Sequence, residues 1–333
     1  MKISHYVLAV LLVIGTLTIQ SCKKDRTTVI VNNTPGTTKG TVLNPLKTFA
    51  SAAPMQQSFT FDITTGALIT GSKGSQFYFP PSSLLHQDGS PVTGNVQVEI
   101  REYMNKADML FSGVTVTSGN ALLESGGMFY IMPRQNGEEL QLKPGSNFQI
   151  FIPKANAGNE AMDFWNGEPN LDDSFNKIDW VKQDSVPINQ VKDSAQGGGQ
   201  RTKYFAQFDY FKFGYCNIDR EMNKFKTIIS KFRIKLPGHC KDTNSTALLL
   251  FKNYNCCAWC YWDNGEGVLK TGYSLPLNET AKILVYKKTG PGDDDLAYAV
   301  LEITFTDDTL VDFSNTALTP CTNQQLEDII KAL

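Results

Sequence analysis

The sequence contains little histidine and none of the common catalytic motifs. Only three histidines occur in 333 residues, namely His5, His86 and His239. It has no Walker loop, no dinucleotide-binding glycine pattern, no Gly-x-Ser-x-Gly elbow and no His-Glu-x-x-His pair. His86 lies in the turn-forming stretch Leu85–Gly89, which favours a solvated side chain over a catalytic base. A carboxylate can also act as a general base, so the sequence predicts a protein that is not an enzyme without excluding one.

The sequence also has almost no net charge. Its 31 basic and 33 acidic residues leave a formal charge of −2. Nucleic-acid-binding proteins carry an excess of positive charge that neutralises phosphates. We therefore predict no nucleic-acid partner, and, in the absence of a recognisable binding motif, no cofactor and no resident metal.

Long apolar runs are confined to the N-terminus. Lys2 is followed by the apolar run Tyr6–Ile14, which is broken at Gly15 and Thr16. This run is shorter than the roughly 20 residues of a membrane-spanning helix, but it has the size of the hydrophobic region of a signal peptide. The pattern predicts a signal peptide at residues 1–21.

The last three residues of this segment and the cysteine that follows them resemble a processing signal. Ile19-Gln20-Ser21-Cys22 resembles a lipobox, and the continuation Lys23-Lys24-Asp25 resembles lipoproteins of the Bacteroidetes type. The resemblance implies that Cys22 is lipidated and that the protein is anchored to the outer membrane, facing the periplasm or the cell surface. An ordinary cleaved signal peptide, with Cys22 as a bystander, is the alternative.

The rest of the chain predicts a mainly β protein with two domains. Alternating runs such as Phe59–Ile63, separated by Gly, Pro, Asn and Asp turns, indicate many short strands. We predict a flexible tether at 22–54, a β-sandwich at 55–154, a connector at 155–203 and a second β domain at 204–333. Thr322 and Gln325 form a capping-box pattern that predicts a C-terminal helix.

The first β domain resembles a known interaction module. Gly74–Leu84, in which a strand is followed by Pro-Pro-x-x-Leu, resembles the opening of the ZU-type domain of zonula occludens proteins, netrin receptors and ankyrins. The resemblance continues through Pro91–Val96, Leu123–Met128 and Ile152–Lys154. It implies a binding role. Some relatives cleave themselves at a His-Phe-Ser step, but Leu110-Phe111-Ser112 lacks the histidine, so self-cleavage is not expected.

A second resemblance lies further along the chain. Gly214-Tyr215-Cys216-Asn217-Ile218-Asp219-Arg220 is similar to a Gly-Trp-x-Asn-x-Asp-Arg signature of uncharacterised lipoproteins from the same bacterial group. This signature implies no chemistry of its own.

The cysteines are all found at Cys22 or in the C-terminal half. An even number of cysteines in an exported chain predicts disulfides, which here would staple the second domain, with fifteen pairings left open. Vicinal cysteines are expected to pair with different partners. The six residues concerned are Cys216, Cys240, Cys256, Cys257, Cys260 and Cys321.

Two other interpretations of the cysteines remain open. Cys257 and Cys260 have the spacing of a thioredoxin-like redox pair, although no βαβ pattern surrounds them. His239 and Cys240, together with Cys256–Cys260, could supply four zinc ligands, although the first two are adjacent and fit a tetrahedral site poorly. Disulfides are the favoured interpretation.

One aromatic cluster suggests a ligand. Trp259, Tyr261, Trp262, Asp263 and Asn264 combine flat rings with polar groups, as a sugar-binding platform does. The alternative is that the tryptophans belong to the core. We therefore predict a non-enzymatic binding or structural module with an unknown protein or glycan partner. A carbohydrate-capture protein, or a carbohydrate-active enzyme, of a polysaccharide-uptake system is the alternative.

Two further kinds of motif occur in loops. The acidic clusters Asp172-Asp173 and Asp293–Asp295 could bind Ca²⁺ or form solvated turns. Asp184-Ser185-Val186 and Asp193-Ser194-Ala195 resemble the O-glycosylation motif of Bacteroidetes-type exported proteins.

Overall fold

The computed structural model describes a defined part of the chain. The described residues are 43, 48–156, 161–169, 178–194, 200–222, 227–229 and 231–333. The predicted signal peptide, Cys22 and most of the predicted tether lie outside them. So do Asp172-Asp173 and Ala195 of the second glycosylation motif.

The predicted mainly β class is confirmed. The strands are β1 (Gln57–Asp62), β2 (Ala67–Thr70), β3 (Gln76–Phe79), β4 (Leu84–Leu85), β5 (Asn95–Tyr103), β6 (Thr117–Ser118), β7 (Ala121–Gln135), β8 (Glu138–Glu139), β9 (Gln141–Leu142), β10 (Phe148–Pro153), β11 (Asp163–Pro169), β12 (Ile178–Gln183), β13 (Asn189–Ser194), β14 (Gln200–Phe208), β15 (Gly214–Glu221), β16 (Phe232–Lys235), β17 (Ser245–Phe251), β18 (Cys257–Asp263), β19 (Val268–Lys270), β20 (Thr280–Lys288), β21 (Leu296–Thr304), β22 (Thr309–Asp312) and β23 (Thr319–Cys321). The helices are α1 (Lys106–Ser112) and α2 (Asn323–Ala332).

The first two large sheets share one core. Sheet A has the strand order β1-β5-β7-β15-β11-β12, and sheet B has the order β13-β14-β10-β3-β2. Rings from the two sheets meet between them: Phe77 of β3 lies 5.1 Å from Phe129 of β7, and Phe164 of β11 lies 4.8 Å from Phe208 of β14. Period-two alternation supplies this core, since every second residue of a strand faces the same side. We call sheets A and B together the two-sheet unit.

The two-sheet unit takes strands from beyond residue 154. Strands β11 to β13 come from the segment that we predicted to be a connector, and β14 and β15 come largely from the predicted second domain. Strand β15 lies between β7 and β11, and β14 lies between β10 and β13. By strand pairing, the first β unit therefore extends to Glu221.

The C-terminal sheet has the order β22-β16-β19-β18-β17-β20-β21-β23. One face of its central strands carries Trp259 and Tyr286, and Tyr286 contacts Phe49 at 5.7 Å between ring centroids. Phe49 belongs to the predicted tether, yet it is fully buried. On the opposite face Phe251 packs against Phe305. The described residues from 43 to 333 belong to one compact unit.

The C-terminal helix has the predicted capping box. The Thr322 side chain accepts a hydrogen bond from the Gln325 backbone N–H, and the Gln325 side chain accepts one from the Thr322 N–H. Leu326 and Ile330 are buried in the same core as the C-terminal sheet. Among the described residues, neither this helix nor any other is long and apolar enough to cross a membrane.

The prediction of a disulfide-stapled domain is not supported. All six cysteines of the described chain are free, buried thiols. Cys257 and Cys260 lie three residues apart in regular strand β18, so their side chains point to opposite faces, about 10 Å apart along the strand. This geometry also argues against a redox pair. Burial raises the pKa of Cys257 to about 12, so the thiol stays protonated and behaves as a small apolar side chain.

Candidate functional site

The candidate site is a cleft at one end of the two-sheet unit. Two segments cross there between the sheets: residues 184–188 connect β12 of sheet A to β13 of sheet B, and residues 209–213 connect β14 of sheet B to β15 of sheet A. The cleft between these segments has a volume of about 400 Å³. We call it the crossover cleft. The described lining residues are Phe164, Asn166, Gln183, Ser185, Val186, Pro187, Gln207, Phe208, Asp209, Tyr210, Phe211 and Lys212.

Three phenylalanines form the floor of the crossover cleft. The ring of Phe211 lies 4.7 Å from that of Phe208 and 5.8 Å from that of Phe164. All three side chains are buried, and on the core side Phe148 contacts Phe211 at 4.8 Å. Edge-to-face and tilted ring pairs of this kind stabilise a cluster beyond the area that they bury. The floor is therefore part of the core and has little freedom to move.

The second crossing segment is fastened at several points. Phe211 inserts its ring into the core, and the Gly145 N–H donates a hydrogen bond to the Asp209 carbonyl at 2.9 Å. The Asn166 side chain donates to the Lys212 carbonyl at 3.3 Å. These contacts hold the backbone on both sides of Tyr210. A loop fixed in this way is preorganised for binding.

Tyr210 projects away from the floor. Tyr210 is 76% exposed, while Phe211, its neighbour in sequence, is buried. Tyrosine is usually at least partly buried in proteins, and an exposed ring contributes no free energy of burial to folding. The crossover cleft thus presents an exposed aromatic ring, that of Tyr210, on a backbone held by the contacts described above.

The rim of the cleft is polar and nearly balanced in charge. Gln183 and Gln207 carry amides, and Ser185 and Asp209 are exposed. The Lys212 ammonium pairs with the Glu168 carboxylate at 2.6 Å. Since this lysine is already paired, the rim offers hydrogen-bond donors and acceptors rather than a basic patch.

The tryptophans of the predicted glycan platform are not on an open surface. Trp259 is fully buried, and its backbone carbonyl accepts a hydrogen bond from the Tyr273 hydroxyl. Trp262 is half-buried, and its indole N–H donates to the Ser245 carbonyl at 2.8 Å. Tyr261 is also half-buried and lies on the strand between them. The platform as predicted cannot include Trp259, because the ring has no face towards solvent.

The polar residues of that platform form a turn. One oxygen of Asp263 accepts hydrogen bonds from the Gly265 and Glu266 backbone N–H groups, and the other contacts the Lys270 ammonium at 2.7 Å. The bond from Lys270 is the largest cause that lowers the pKa of Asp263. Asn264 donates to the Asp242 carboxylate at 3.3 Å. The contacts of Asp263 close the β18–β19 hairpin, and the contact of Asn264 joins this hairpin to the loop before β17.

The other predicted loop sites are also engaged in local contacts. The Asp295 carboxylate accepts a hydrogen bond from the Gly292 N–H, and Asp294 accepts one from the Asn323 N–H. His86 lies 3.3 Å from the Glu138 carboxylate in an exposed turn. Within the described part of the chain, no group of three or more His, Cys, Asp or Glu side chains is placed to hold a metal ion, including around His239.

The signature around Asn217 forms a buried polar network. The Ser125 hydroxyl donates to the Asn217 side-chain carbonyl at 2.9 Å, and the Asn217 amide donates to Asp219 at 2.6 Å. Beside it, Arg220 and Glu124 form a buried ion pair at 2.6 Å. Burial raises the pKa of Asp219 well above its usual value. These side chains join β7 to β15 and are almost entirely buried, so their role is structural.

Known proteins provide no information on the candidate site. No protein-family model, no curated protein and no solved structure matches the chain. The crossover cleft was not predicted from the sequence. The available signal was the run Phe208-Asp209-Tyr210-Phe211-Lys212-Phe213, which is too rich in aromatic residues for an ordinary loop.

Proposed function

We propose that this protein is an exported, lipid-anchored and non-enzymatic binding module whose ligand occupies the crossover cleft. The observation that carries the proposal is the exposed Tyr210 ring, held on a fixed backbone beside an aromatic floor and a polar rim. Ligand sites are typically concave, largely preformed and apolar, with a few placed polar groups. The lipobox at Cys22 and the resemblance of residues 55–154 to a ZU-type interaction domain support the same function.

Binding suits the chemistry of the cleft better than catalysis does. Its described lining residues include neither histidine nor cysteine, and Lys212 is paired with Glu168. A hydroxyl such as that of Ser185 needs an adjacent base to become a nucleophile. Asp209 is the one carboxylate among the described lining residues. It belongs to the other crossing segment and is exposed.

The binding role is tested with the full-length protein in detergent. Soluble polysaccharide and peptidoglycan fractions of the producing cells are added, binding is followed by NMR line broadening, and products are sought by mass spectrometry. Tyr210→Ala is compared with Leu68→Ala, which removes an exposed side chain from β2 at the other edge of sheet B. We expect binding that Tyr210→Ala weakens and Leu68→Ala does not, with no new products. Turnover of a fraction, or binding that is indifferent to Tyr210→Ala, would overturn the proposal.

The anchor is tested separately. Cys22→Ala removes the thiol that accepts the lipid, so the protein is expected in the soluble fraction after cell lysis. Retention of this variant in the membrane would mean that the apolar N-terminal segment is itself the anchor.

A further inference from the structure

We infer that the ligand of the crossover cleft is an uncharged saccharide, stacked on Tyr210 and hydrogen-bonded by the rim. This inference rests on the proposed function, since it names the class of ligand for the same site. It moves the sugar-binding surface from the β18–β19 hairpin, where Trp259 is buried, to the end of the two-sheet unit.

The size of the cleft limits the ligand. A volume of about 400 Å³ lies at the small end of the range for small-molecule sites. It accommodates one or two sugar rings, whereas a folded protein domain cannot enter it. The cleft therefore suits the end of a glycan chain or a short segment of one.

The charges around the cleft favour a neutral ligand. An anionic sugar or a phosphate would need a free cation, but Lys212 is held by Glu168 at 2.6 Å. The exposed carboxylate of Asp209 would repel an anion further. A carboxylate that accepts two hydrogen bonds suits the vicinal hydroxyls of a neutral sugar.

The remaining polar groups match hydroxyls. Gln183 and Ser185 each carry both a donor and an acceptor, as every sugar hydroxyl does. The amide of Gln207 is already fixed by Asn147, to which it donates at 2.8 Å, and by Gln149, from which it accepts at 3.3 Å. A rim of this kind binds a ligand that is polar on its edges and apolar on its faces.

The exposed ring supplies the apolar face. A pyranose presents a flat array of C–H groups, which packs on an aromatic ring without requiring charge. Tyr210 is 76% exposed, and its backbone is fixed through Asp209 and Phe211, so little conformational entropy is lost on binding. An uncharged peptide is the other ligand that could use the same floor, and the experiment separates the two.

The test uses the full-length protein in detergent and four neutral disaccharides, namely maltose, cellobiose, lactose and N,N′-diacetylchitobiose. A mixture of uncharged pentapeptides forms a second arm. Binding is measured by saturation-transfer NMR and by isothermal titration. We expect at least one disaccharide to bind, Tyr210→Ala to weaken binding about fivefold, and Tyr210→Phe to retain it because the ring is kept. Leu68→Ala is the matched control and leaves binding unchanged.

Three results would overturn the inference. If pentapeptides bind in a manner sensitive to Tyr210→Ala and disaccharides do not, the saccharide is wrong while the binding function stands. If a disaccharide binds but Tyr210→Ala has no effect, the cleft is not the sugar site. If neither class binds and the polysaccharide fractions are degraded, the inference and the proposed function both fail.

Discussion

Asp219 lets the pH dependence of stability be worked out from the structure. Its side chain is fully buried on β15, where the Asn217 amide donates to one carboxylate oxygen at 2.6 Å. The neighbouring cation, Arg220, is paired with Glu124. Desolvation is the main cause that raises the pKa of Asp219 well above its usual value, and the charge of Glu124 raises it further.

The sign follows from proton linkage. In the unfolded chain an aspartate titrates near its ordinary pKa of about 3.9, while in the folded protein it keeps its proton to a much higher pH. Between the two pKa values the folded state binds one more proton than the unfolded state. The free energy of unfolding therefore falls by about 1.4 kcal/mol for each pH unit in that interval. The favourable contribution is complete below the unfolded pKa and is lost as the pH rises towards the folded one.

Asp219→Asn isolates this contribution. An amide has the shape and neutrality of the protonated acid, so it avoids the cost of protonation and keeps an acceptor for Asn217. We expect urea unfolding at about pH 5, 6 and 7 to give a flatter dependence for the variant, by up to about 1.4 kcal/mol per pH unit. The variant should gain most, relative to the unchanged protein, at the highest pH.

The matched control is Asp179→Asn, which neutralises an exposed carboxylate on β12 and should leave the pH dependence as it is. Parallel stability curves for Asp219→Asn and the unchanged protein would refute the reasoning. That result would mean that Asp219 is ionised in the folded state and that water or a cation reaches it.

Three further predictions follow from particular contacts. Glu102 accepts hydrogen bonds from the Lys73 and Ser75 backbone N–H groups at 2.8 and 2.9 Å, so Glu102→Ala should lower the free energy of unfolding by about 3 kcal/mol in urea titrations. A value within about 0.5 kcal/mol of zero would show that water replaces the carboxylate. The cysteines other than Cys22 should all react with a thiol reagent once the protein is denatured without reductant, giving six free thiols. A Tm that falls when reductant is added would instead show that disulfides are present. Gly127 has a φ of +142°, and an added Cβ would lie 2.7 Å from Ile152, so Gly127→Ala should lower the Tm in calorimetry by an amount corresponding to about 2 kcal/mol or more. An unchanged Tm would show that β7 and β10 can separate locally.

Much of the local structure could be predicted from the sequence. Strand β1 (Gln57–Asp62) overlaps the alternating run Phe59–Ile63 that predicts it. The capping box before α2 is present. These features depend on neighbours one to four residues apart, because the period of a strand and the first turn of a helix are local properties.

The partners of the strands could not be predicted in the same way. Nothing in the alternation of β14 or β15 indicates that these strands enter sheets begun more than 50 residues earlier. Strand pairing depends on which sheet faces pack against each other and on the connections that cross between the sheets. The two-residue period of a strand contains no information about either. The predicted boundary at residue 204 consequently falls within a strand of the two-sheet unit.

The orientation and burial of the side chains also decide whether the cysteines can pair and whether Trp259 can contact a ligand. An even number of thiols in a chain predicted to be exported favours disulfides. Three of these thiols, however, lie on or beside one strand, β18, whose successive side chains face opposite ways. Trp259 has the composition of a platform around it, but its side of the strand faces the core. Only the tertiary structure shows which side of a strand meets solvent.

By itself, the sequence determined the β class, the turn positions and the C-terminal helix, since each is written in short segments. Its prediction of an export signal likewise depends on one short segment at the N-terminus. Only the tertiary structure shows where the crossover cleft lies. It brings Phe164, Gln183 and Tyr210 together from separate strands and crossing segments, because the chain passes twice between two sheets at the same end. A site built from such distant segments depends on the order of the strands.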